Sequence, residues 1–137
     1  MTKAAELFLE ELKERDLKHM DVREVDDVTI IPLGFHLKNT RVEINTVFKP
    51  DNSVALRCYG FLKVNEEQFP QALLCCNSLN QKMRWVKFYV DEDMDVNLED
   101  DAIVDDVTGG KEVFELVMRM AAIADEAYPE LNRAIWA

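Results

Sequence analysis

Two histidines, three cysteines and 27 acidic side chains are the groups in this 137-residue chain that could bind a metal or move a proton. His19 and His36 fall on different elements, and neither has a Cys or His neighbour at ligand spacing. A zinc site needs three or four such ligands with local spacing, so none is expected. The run Asp91-Glu92-Asp93-Met94-Asp95 would suit calcium only with glycine at the sixth position and glutamate at the twelfth. Counted from Asp91, those places hold Val96 and Ala102, which leaves a turn between strands. Paired carboxylates could do general acid–base work, but in so acidic a chain proximity arises by chance. The cluster Glu99-Asp100-Asp101 with Asp105-Asp106 reads as an exposed charged connector. Ser53 and Ser78 lack a nucleophile-elbow context. Gly109-Gly110 precedes a helix, where phosphate can bind. No Lys-Ser/Thr pair and no G-x-G-x-x-G accompanies it, so it marks a helix start. Cys58, Cys75 and Cys76 are odd in number, and adjacent helical thiols point about 100° apart. They read as reduced, mostly buried thiols of a cytosolic protein, not as a disulfide framework. No catalytic, metal or cofactor site is expected.

One constellation points to binding instead. Alternation along two strands places Arg57, Tyr59 and Phe61 on one face, with Trp85, Lys87 and Tyr89 beside them. Aromatics interleaved with cations are what interface hot spots are enriched in. These six residues are the candidate protein-binding surface. Alternatively, a helix covers the rings, because the pattern does not say which face the helices choose.

The elements that must position them follow from periodicity. Residues 2–18 read as an amphipathic helix with Ala5, Phe8, Leu9 and Leu12 in its stripe and Thr2 as N-cap. A polar connector over 18–27 leads to strands at 28–37, 41–49 and 54–64, the last two joined by the turn Pro50-Asp51-Asn52-Ser53. Asn65 caps a second helix carrying Phe69, Ala72, Leu73, Cys76 and Leu79 at helical spacing. Strands at 83–90 and 94–98 come next. A long C-terminal helix then starts near Thr108 and runs to Pro129, which ends it or starts a short last turn around Leu131 and Ile135. The expected fold is α+β: a five-stranded antiparallel sheet with flanking helices, in the order α-β-β-β-α-β-β-α.

Composition sets the limits. The chain is 48% apolar and 31% charged, with eight glycines and prolines in total, as in one globular domain spanning 1–137. Sixteen basic against 27 acidic residues give a formal charge of −11. Such a surface repels phosphate backbones and anionic membranes, so neither nucleic acid nor membrane is expected as a partner. No stretch approaches the roughly 20 apolar residues of a membrane span, and the first residues build no signal-peptide core.

The segments Leu79-Asn80, Arg84-Trp85-Val86-Lys87-Phe88-Tyr89-Val90-Asp91, Asp95-Val96-Asn97-Leu98-Glu99-Asp100 and Ala127-Tyr128-Pro129-Glu130-Leu131 carry a resemblance to the YbjN-like family. It covers residues 66–131 well and the first half by element order. In the turn where family members carry glycine, this chain has Met94. The resemblance implies the fold of type III secretion chaperones, small acidic α+β proteins that bind other proteins and often dimerise. It also implies a regulator of bacterial sensory transduction, and it brings no catalytic residues. Together these point to a non-enzymatic, chaperone-like binding or regulatory module of the bacterial cytosol, paired with a protein partner or with itself. A small enzyme using cleft carboxylates and a structural subunit of a larger complex are the alternatives.

Overall fold

The computed structural model describes residues 1–137 as a six-stranded antiparallel sheet with three helices. Helix α1 (Lys3–Glu14) begins as expected, with Thr2 Oγ1 accepting from the Ala5 amide at 3.2 Å. It ends four residues earlier than the pattern implied. Asp16 turns left-handed at φ 54°, and the Leu17 and Asp16 amides donate back to the Leu12 and Lys13 carbonyls. This Schellman closure satisfies the orphan carbonyls of the last turn.

The expected connector holds the sixth strand. Strand β1 (Arg23–Val25) pairs with β2 (Val28–His36) across a tight turn at Asp26, φ 55°. Three exposed residues, two of them charged, leave no period to detect. Strands β3 (Arg41–Phe48) and β4 (Ser53–Lys63) follow, then helix α2 (Phe69–Lys82), β5 (Lys87–Val90), β6 (Asp95–Ile103) and α3 (Gly109–Trp136). The order across the sheet is β1-β2-β3-β4-β6-β5, every neighbour antiparallel. Ile31, Leu33, Ile44, Phe48, Leu56 and Leu98 point to one face and join Phe8, Leu79, Val117 and Met120 of the helices in a continuous core. The Phe8 and Phe48 rings sit 5.6 Å apart in it.

Local chemistry fixes the helices on that face. Asn65 and Gln68 form a reciprocal capping box before α2: each side-chain oxygen accepts from the other's amide, at 2.9 and 3.0 Å. Ahead of α3 the cap is Asp105, whose carboxylate accepts from the Val107 and Thr108 amides. Gly110 lets α3 meet α1, because a Cβ there would stand 2.5 Å from the Leu7 carbonyl carbon. Across this contact Lys111 reaches the buried Glu11 at 3.1 Å.

Helix α3 does not stop at Pro129 but continues unbroken to Trp136. Proline offers no amide to the carbonyl four residues back, that of Asp125. Asn39, in the β2–β3 turn, takes its place: its Nδ2 donates to that carbonyl at 3.0 Å, and its own amide donates to Asp125 Oδ1 at 2.7 Å. The last turns therefore survive and bury Leu131 and Ile135.

Candidate functional site

The six candidate residues divide between three environments. Arg57, Tyr59, Lys87 and Tyr89 share the face of the sheet that no helix covers. Register aligns Asn45, Arg57, Glu99 and Lys87 in one row across four strands. Arg57 pairs with Glu99 at 3.6 Å and with Asp101 at 3.0 Å, and Lys87 pairs with Glu99. Lys87 Nζ also lies 5.8 Å from the Tyr89 ring centre, and Tyr59 is 60% exposed.

Phe61 leaves this group. Between Cys58 and Leu62 the β4–β6 register shifts at a bulge, where Gly60 adopts φ 66° and its amide donates to Asn97 Oδ1 at 2.8 Å. Four steps on β4 stand against two on β6, and these two extra residues turn Phe61 to the helix side. There it is buried, edge-to-face on Tyr128 of α3 at 5.7 Å.

Trp85 leaves it too. Strand β5 begins at Lys87 rather than at residue 83, and Trp85 sits in the preceding turn at φ 76°. Its ring lies toward α3, with the guanidinium carbons of Arg84 and Arg119 at 4.8 and 5.3 Å from its centre.

The acidic cluster is no connector. Strand β6 runs on to Ile103, and register places Asp100 opposite Leu56, on the helix side. The alternation Val96, Leu98, Asp100, Ala102 carries through, with an aspartate in an apolar slot. That misplaced acid is the signal by which the sequence could have given both strand and site. Asp100 Oδ2 is buried without a hydrogen-bond partner, and burial pushes its carboxyl up to about 6. Two adjoining hollows, of about 490 and 500 Å³, share Trp85, Asp100 and Asp101 as lining.

Other sequence-marked groups lie elsewhere. Asp91 spends its carboxylate on its own turn, accepting from the Asp93 and Asp95 amides and from Asn97 Nδ2. The Asp95 amide foremost holds its carboxyl below the usual range. Met94 supplies the left-handed φ of 65° that glycine would adopt without strain. Both histidines are exposed strand- or loop-end residues, and nowhere do three or more His, Cys, Asp or Glu gather as a metal site would require. All three cysteines are free and buried, with Cys58 pushed up to about 12 and Cys76 to about 11 by desolvation. No helix is long and apolar enough to cross a membrane.

Comparison with known proteins gives two matches of consequence. The model of the YbjN family, described as "Putative bacterial sensory transduction regulator", matches residues 6–133. The solved structure of YbjN, "a putative transcription regulator from E. coli", is similar at 14% identity over 92% of each chain, with a TM-score of 0.57. At that identity the likeness is one of fold. No curated protein matches the chain.

Proposed function

The chain belongs to the YbjN family, and from that we propose a non-enzymatic regulatory module of the bacterial cytosol that works by binding protein across the helix-free face of its sheet. The first partner is a second copy, as in type III secretion chaperones, whose architecture we take this domain to share over 1–137. The observation that carries this reading is the helix-free face itself, with Arg57, Tyr59, Lys87 and Tyr89 on it. A chain of charge −11 repels its own copy over most of its surface. On this face Arg23, Arg41, Arg57 and Lys87 stand among Glu43, Glu99 and Asp101, so the repulsion is locally cancelled. A two-fold pairing sets such a patch against itself. The same overall charge favours regulation through protein over contact with nucleic acid.

Sedimentation tests this. The wild type should run as a dimer at tens of micromolar, in the usual range for a modest interface. Tyr59→Asp should run as a monomer with unchanged far-ultraviolet circular dichroism, and Trp85→Asp, off this face, should remain a dimer. A monomeric wild type overturns the dimer. Catalysis by a cleft carboxylate is the competing reading, favoured by Asp100. Of the other acids beside it, Glu99, Asp101 and Glu115 are held by Lys87, Arg57 and Arg119, and Glu112 accepts from the Thr108 hydroxyl.

A further inference from the structure

The cleft between the Trp85 turn and the first half of α3 has one unmet chemical demand. Asp100 Oδ2 is sealed from solvent and has no donor. A buried polar atom without a partner is rare in a folded chain and calls for a reason. None of the nearby cations supplies it, and Arg84 lies against the Trp85 ring instead. Lys111 is committed to Glu11, Arg119 to Glu115, and Lys87 to Glu99. Arg57 lies across the sheet and spends its Nη1 on the Leu56 and Asp100 carbonyls. Glu112 accepts from the Thr108 hydroxyl and offers no donor.

A second observation converges on the same place. A bulky aromatic residue at positive φ is strained, and such strain gathers at functional positions. Trp85 is held so, is 46% exposed and lines both hollows. Two arginines already lie against the ring, so it offers apolar surface rather than a free cation site. Ala102 and Leu116 add apolar wall on the α3 side.

We propose that this cleft binds an organic cation, an amine or guanidinium on a short aliphatic stem, with the charged head donating to Asp100 and the stem lying on Trp85 and Leu116. The head brings a donor to a carboxylate whose Oδ2 has none, and its charge complements an acid that no salt bridge holds. The same chemistry arrives either as a free small amine or as an arginine or lysine side chain of another protein. This site does not rest on the dimer face, and Tyr59→Asp should leave it intact.

The chain holds two tryptophans, so Trp136→Phe makes Trp85 the sole fluorescent reporter. In that background agmatine and a doubly blocked arginine amide serve as the two cationic probes, and propionate as the anionic control. Near pH 8 at least one cationic probe should saturate with a Kd below ~1 mM. Agmatine alone binding would identify a free amine as the natural source, and the blocked arginine binding equally well would identify a protein side chain. Asp100→Asn should weaken binding at least about tenfold. The Trp136→Phe protein with Asp100 intact, moved to about pH 5, should also lose about tenfold, because the carboxylate is then largely protonated. Failure of both cationic probes to saturate by ~10 mM, equal binding of propionate, or binding indifferent to both Asp100→Asn and pH overturns the site.

Discussion

Burying a carboxylate oxygen without a donor opposes folding whenever the group is charged. Asp100 therefore carries a signed prediction. Its folded-state pKa is about 6 against an ordinary 3.8, so the native state holds the proton more tightly than the unfolded chain. Stability from this group is fully present below the unfolded value and is lost as pH rises through about 6. Asp100→Asn removes the charge and should raise stability near pH 8 by ~1 kcal/mol, discounted for partial exposure, with little change near pH 4. Urea unfolding at the two pH values measures it, and an equal shift at both would sink the assignment. The thiols behave alike in kind. Burial raises all three above the ordinary range, so native protein should react with thiol reagents far more slowly than unfolded protein. Fast labelling without denaturant would show that α2 and β4 are packed otherwise.

Among the elements, two contacts decide whether the helices stay on the sheet. Gly110 is the close approach of α3 to α1, where an added Cβ meets Leu7 backbone that cannot swing aside. Gly110→Ala would gain helix propensity in isolation, yet here it should destabilise by ~1–3 kcal/mol, as overpacking does. A thermal melt at or above the wild-type temperature would contradict the contact. At the sheet's other side, Asn80 of α2 clasps the edge strand: its amide donates to the Phe88 carbonyl at 3.0 Å, and its oxygen accepts from the Phe88 amide at 2.8 Å. These bonds block an edge that another strand could join. Asn80→Leu should cost ~1–3 kcal/mol by orphaning both groups, and should promote concentration-dependent aggregation detectable by light scattering. Helices and long strands were legible because their apolar residues repeat often enough to declare a period. Legibility failed where the backbone left the strand period locally: the bulge at Gly60 turned Phe61 inward, and the left-handed Trp85 removed that ring from the strand. Pro129 reads as a helix end from sequence because its remedy, Asn39, lies far away in the chain.

For the molecule as a whole, these charges set a pH optimum bounded from below by the lowered carboxylates and from above by Asp100. Glu11, Asp51, Asp91 and Asp105 all hold their protons less tightly in the fold than outside it. Lys111 foremost lowers Glu11, the Ser53 hydroxyl Asp51, the Asp95 amide Asp91, and the Thr108 amide Asp105. For such groups stability is present above the ordinary carboxylate range and lost as pH falls through the lowered values. Glu11 ties α1 to α3 and Asp105 caps α3, so acid should loosen the helical layer first. Asp100 pulls the other way, gaining as pH falls from about 6. Over the same interval, protonation of exposed acids relieves part of the self-repulsion carried by the charge of −11. The two trends cross between the ordinary carboxylate values and that of Asp100. The melting temperature should therefore peak near about pH 5, decline gently toward pH 8 and fall steeply below about pH 4. Added salt should raise it near pH 8, where unpaired negative charge is greatest, and do much less at the peak. Calorimetry across that range at two ionic strengths measures both effects. A melting temperature that climbs steadily from pH 4 to 8 would show that the lowered carboxylates alone govern the fold and that Asp100 is ionised without penalty.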